Sequence, residues 1–177
     1  MPITPPPAQS DFGFYNRYIF KVKHLDLINA FKENWTEVNN LFSNIPEDKL
    51  LYRYDTGKWN IKEIAQHLMD GERNFCYRAM RISRKDAIEV PVYDPHAFVS
   101  NSNATERDIK NLLDELQATR NATIAFFEGM STEMLDNEGP ARDAIVSARA
   151  MGFAIVGHAI HHMEIIKERY LAVQAVA

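Results

Sequence analysis

Residues 154–171 read Ala154-Ile155-Val156-Gly157-His158-Ala159-Ile160-His161-His162-Met163-Glu164-Ile165-Ile166-Lys167-Glu168-Arg169-Tyr170-Leu171. Only Gly157 disfavours a helix here, and the apolar residues fall at helical spacing. Ile155, Ala159, His162, Met163, Ile166, Tyr170 and Val173 form one stripe in steps of three and four. At about 100° per residue, His162 lies within the stripe, and His158 sits at its edge one turn below. His161 points about 100° away from His162, toward another face. One buried face therefore carries two imidazoles at i and i+4, a spacing at which helical side chains meet. Burying them in an apolar stripe is costly unless something satisfies them, and a divalent metal does so.

The rest of the chain sets the setting. At 177 residues it fits one domain with a real core. Hydrophobic residues make up 46% and charged residues 25%, the balance of a soluble globular protein. A net charge of −4 argues against sequence-independent nucleic-acid binding. No apolar run approaches the roughly 20 residues that cross a bilayer, so no membrane partner is expected. The first residues lack the basic-then-apolar pattern of a signal peptide. The single cysteine, Cys76, excludes an intramolecular disulfide and a cysteine zinc cage. Together these features point to the cytoplasm.

Taken in order, residues 1–17 are proline-rich and aperiodic, an extended N-terminal arm preceding a bundle at 18–177. Phe12, Phe14 and Tyr15 suit fastening the arm to the body or to a second subunit. Phe20, Leu27, Phe31, Trp35, Val38 and Phe42 predict a first helix from Ile19 to about Phe42, with His24 at its edge. A second helix is predicted from Asn60 to Ser83, where Asn60 and Glu63 have the spacing of a capping box. Its stripe is Ile61, Ile64, Leu68, Gly71, Phe75, Ala79 and Ile82, with His67 at the margin. Residues 86–104 have no period and, extended, reach about 60 Å, enough to cross from one end of a bundle to the other. A third helix is predicted from Thr105 to Glu128, ended by Gly129 and faced by Ile109, Leu112, Leu113, Leu116, Ile124 and Phe127. A loop through 136–140 leads to the fourth helix, from about Ile145 to Ala172, with no strand pair. The fold class is all-α, a four-helix bundle.

His67, His158 and His162 are thus candidates to converge from two helices. Three neutral imidazoles form a first shell for zinc or nickel and leave positions open for water or substrate. A ferritin-like di-iron site needs two Glu-x-x-His pairs, and Glu63 precedes His67 by four. A zincin needs His-Glu-x-x-His, but alanine follows His158. Neither pattern is present.

The run Gly57-Lys58-Trp59-Asn60-Ile61-Lys62-Glu63-Ile64-Ala65-Gln66-His67-Leu68, followed by Asp70 and Glu72, resembles the second-helix motif of the DinB-like (YfiT-related) four-helix-bundle superfamily. Residues 157–166 resemble its last-helix motif. With Tyr93, residues 99–102 and Arg120, the resemblance covers about residues 20 to 172. It implies an up-down-down-up bundle with a long crossover between helices two and three, and joint binding of zinc or nickel by His67, His158 and His162. It further implies a small-molecule substrate and a homodimer, and a metal-dependent transferase carrying a low-molecular-weight thiol to an electrophile, or a hydrolase. The alternative is a non-catalytic metal-binding bundle serving a stress response or a partner. No general base accompanies the histidines, which counts against hydrolysis, and no catalytic residue is assigned. Asp94 and His96 read as solvated loop residues within reach of open metal positions. His161 reads as a surface residue or one packed on helix three, and Glu164 and Arg169 as surface charges. Cys76 reads as a small buried hydrophobe, and Trp59 and Phe75 as core; Met134 and Met151 carry no signal.

Overall fold

The computed structural model describes residues 1–86 and 88–172, so Val173 of the predicted stripe lies outside the described residues. A 3₁₀ turn at Gly13–Tyr15 leads into α1 (Asn16–Ile19), followed by α2 (Leu27–Ser43) and α3 (Ile61–Ser83). Then come α4 (Pro95–Ser100), a 3₁₀ turn at Ala104–Glu106, α5 (Ile109–Glu128) and α6 (Thr132–Asp136). A hairpin of β1 (Glu138–Ala141) and β2 (Ala144–Ser147) precedes α7 (Ala148–Ile165), which widens into a π-helical stretch at Ile166–Leu171. The long helices α2, α3, α5 and α7 make the four-helix bundle.

Local chemistry sets the helix starts. Asn60 accepts the Glu63 N–H (2.9 Å) and Glu63 accepts the Asn60 N–H (2.8 Å), the predicted capping box of α3. The first predicted helix divides in two. Asp26 caps α2 by accepting the Ile28 N–H and also accepts the Ile3 N–H, so the chain turns there. Phe20, expected on the stripe, is consequently 55% exposed, and His24 lies half-exposed 3.5 Å from Glu33. The third long helix starts at the Asp108 cap, after the turn that holds Thr105.

Two core clusters give the run of the helices. One joins the start of α2 (Leu27, Phe31), the end of α3 (Phe75, Ile82), the end of α5 (Phe127) and the first half of α7. The other joins Val38 and Phe42, Ile61 to Met69, Leu112 to Leu116, and Ala159 to Ile166. α3 and α5, which pack side by side, therefore start at the same end, and residues 84–108 must return the length of the bundle. Buried Val99 and Ala104 fasten that crossover, and Asp94 caps α4 with Pro95 at its first position.

Two further expectations are corrected. The loop before the last helix is an antiparallel hairpin, Glu138 opposite Ser147, whose turn residue Arg142 takes φ 63°. And α7 is not one-sided: residues 150–159 are all buried, the pattern of a central helix. The cause is α1, which lies on the face of α7 left by the bundle. Gly157 makes that contact possible, because a Cβ there would stand 1.9 Å from the Tyr18 carbonyl oxygen. Among the described residues, no helix is long and apolar enough to cross a membrane.

Candidate metal centre

His67 sits on α3, and His158 and His162 sit one turn apart on α7, the helix packed against it. Gly71, one turn after His67, admits the His158 ring: a Cβ there would lie 2.7 Å from His158 Cε1. Each histidine can offer one ring nitrogen, all within 4.8 Å of one another, and the Nε2 atoms of His67 and His158 are 3.0 Å apart. All three are buried. Burial, then the nearby His96 and His161, lowers the His67 pKa to about 4. Burial also drives His158 and His162 well below the ordinary value, helped by their neighbouring imidazoles. All three are thus neutral near pH 7, each with a lone pair to offer.

The donor set can be tested against a cation. The Nε2–Nε2 approach of His67 and His158 admits at most one shared proton, and the buried His67 Nδ1 has no hydrogen-bond partner. Three converging imidazole lone pairs suit a divalent ion of the zinc or nickel type and leave coordination positions open. The residues fit the group.

The surroundings are aromatic. Trp59, whose carbonyl accepts the Tyr170 hydroxyl, lies 4.5 Å from the His67 ring and 4.8 Å from the His96 ring. Tyr18 approaches His158 edge-on at 5.1 Å, and Phe75 lies 5.4 Å from it. A pocket of about 220 Å³ opens onto the three histidines. Tyr15, Tyr93, Arg78, Arg142 and His161 share its wall, which contains no aspartate or glutamate among the described residues. A larger apolar groove of about 490 Å³ runs between α3 and α5 past Cys76. Burial pushes that thiol up to about 11, so it is no nucleophile at neutral pH.

The other singled-out residues fall as follows. His161 does not pack on α5: it is half-buried, 5.7 Å from the Tyr18 ring, because α1 occupies that face. His96 is exposed and packs on Trp59 beside the site, while Asp94 is spent on the α4 cap. Glu164 pairs with Lys21, and Arg169 is exposed. Phe75 is core, but Trp59 is a half-buried wall of the pocket. Arg120 is buried behind the site, where Nε and Nη2 donate to the Glu72 carboxylate and Nη1 to the Phe31 carbonyl and Asn34. Arg78, Arg142 and Tyr18 escaped the sequence reading, and Tyr15, read as a fastening for the arm, is buried in the body and also lines the pocket. Arg78 was within reach: eleven residues after His67 is three turns plus about 20°, the same helix face. Arg142 and Tyr18 arrive by tertiary folding and carry no such periodic signal.

A sequence model of the DinB superfamily matches residues 30–166. No curated protein matches the chain. Among solved structures, YfiT from Bacillus subtilis, described as a probable metal-dependent hydrolase with an unusual four-helix bundle topology, is similar with a TM-score of 0.73. The two are 18% identical over 93% of this chain and 91% of that one, a likeness of fold.

Proposed function

The chain belongs to the DinB superfamily, and on that premise we propose that it binds a divalent cation through His67, His158 and His162 and works as a metal-dependent enzyme on a small molecule. The observation that carries this reading is the meeting of three buried, neutral imidazoles at the floor of an open pocket. A structural ion needs no pocket; a catalytic one does. His67, His158 and His162 would hold zinc or nickel there, and the ion would supply Lewis acidity that lowers the pKa of a water or a thiol toward neutrality.

The chain's own residues do the rest. Tyr18, Phe75 and Trp59 pack against the imidazoles and keep bulk water from them. Tyr93, raised to about 12 by burial, stays protonated and presents a donor to the pocket. His161 is the imidazole of the pocket left free to accept a proton, kept neutral at pH 7 by burial and by Lys21. YfiT's description favours hydrolysis, and transfer of a low-molecular-weight thiol would draw on the same residues. The homodimer stays within the proposal on family resemblance, since Phe12 and Tyr15 are buried in their own chain.

Elemental analysis after chelation and reloading tests the reading. The wild type is expected to retain one equivalent of zinc or nickel, and His67→Ala and His158→Ala to retain none, with helical circular dichroism intact. Ester hydrolysis and thiol addition to an electrophile, assayed on loaded protein, then separate the two reactions. Equal metal binding by wild type and variants overturns the site, and a loaded protein inert in both assays favours the non-catalytic bundle.

A further inference from the structure

Among the described residues two arginines are buried, and the fold treats them differently. Arg120, 2% exposed, meets Glu72 in a two-pronged ion pair. Arg78, 4% exposed, meets no carboxylate among the described residues. Its Nη1 donates to the Val90 carbonyl and its Nη2 to the Pro91 carbonyl, each at 2.9 Å. Both acceptors are neutral, a guanidinium does not discharge, and a buried unpaired ion is costly. Arg78 lines the pocket over the three histidines, where the described residues of the wall offer no acidic side chain.

Arg142 adds a second cation to the same wall. The left-handed backbone of the hairpin turn delivers it, and its guanidinium stacks 3.8 Å over the Phe14 ring. Its neighbour Asp143 turns to the chain instead, accepting the Phe14 N–H at 3.1 Å. The remaining surface is aromatic, with Tyr15, Tyr18, Trp59 and Tyr93 prominent. At about 220 Å³ the pocket is smaller than the roughly 300–1,000 Å³ that hold drug-sized ligands. It suits a single ring with a short substituent.

We propose that Arg78, with Arg142, receives the anionic group of the substrate, so that the molecule acted on is a small carboxylate- or phosphate-bearing compound with a flat apolar body. This rests on the pocket being the site of the proposed function. Guanidinium forks bind both groups through paired charge-assisted hydrogen bonds, so the shared chemistry is an anionic oxygen group.

Calorimetric titration with benzoate, phenyl phosphate and neutral benzamide tests it, on zinc-loaded and on chelated protein. At least one anion is expected to bind about tenfold or more tighter than benzamide, and the stronger of the two identifies the group. Arg78→Met is expected to remove that preference, and Arg142→Met, on the exposed turn, to weaken it severalfold with an unchanged melting temperature. Should Arg78→Met fail to fold, Arg78→Lys and Arg142→Met decide: a reduced preference in either supports the assignment, and none in both overturns it. Equal binding of anions and benzamide, or a preference surviving in folded Arg78→Met, also overturns it. A protein that takes up no metal yet shows an Arg78-dependent preference sinks the metal reading and leaves this one standing.

Discussion

The His67 imidazole carries a pH dependence that can be measured. Folded, it gains a proton only near pH 4, whereas in the unfolded chain it does so near 6.5. Above about 6.5 neither state is protonated and the folded state loses nothing. As pH falls from 6.5 toward 4 the unfolded chain takes up the proton first, and the metal-free fold loses up to about 3 kcal/mol. His158 and His162, lowered in the same direction, steepen the loss. Urea unfolding of chelated protein between about pH 7.5 and pH 4.5 should show it, with a shallower dependence in His67→Gln. An unchanged slope in that variant means that His67 is not held neutral by burial.

At the scale of elements, glycines set how closely the helices approach, and the obstacles at Gly71 and Gly157 differ. At Gly71 an added methyl meets the His158 ring at 2.7 Å, and at Gly157 it meets the Tyr18 backbone at 1.9 Å. A ring can be displaced while the helices stay packed, and alanine favours an α-helix over glycine by about 1 kcal/mol. Gly71→Ala is therefore expected to keep its helical signal and melt cooperatively, yet to bind zinc at least about tenfold more weakly because His158 is pushed aside. A carbonyl in the main chain cannot rotate away. Gly157→Ala is expected to lift α1 off α7, to cost more than the roughly 1–3 kcal/mol of ordinary overpacking, and to open residues 13–26 to protease. If both variants bind zinc and resist protease like wild type, neither glycine governs the packing.

At the scale of the whole molecule, the N-terminal segment belongs to the core. Ile3, Phe12, Tyr15, Tyr18 and Ile19 are buried in the same cluster as the first half of α7, and Tyr15 and Tyr18 also wall the pocket. Removing residues 1–19 would expose the first half of α7, whose residues 150–157 are apolar on every side. The truncated chain is expected to melt at a lower temperature, to bind a hydrophobic dye and to self-associate on gel filtration. A truncated chain with an unchanged melting temperature would make the segment an appendage, as the division at residues 17 and 18 supposes.

The sequence carried what is local. Asn60 with Glu63, Gly129 after α5, and the three-and-four spacing around His67, His158 and His162 all act within a few turns, so their consequences follow from helical geometry alone. The same geometry put two histidines on one face of the last helix. It was mute on contacts between residues distant in the chain. The divided first helix depends on Asp26 bonding to Ile3, the buried outer face of α7 depends on α1 crossing at Gly157, and Arg142 reaches the pocket because a hairpin turns left-handed beside Phe14. None of these pairings has a period to detect, because each is set by which surfaces exclude water together once the helices have met.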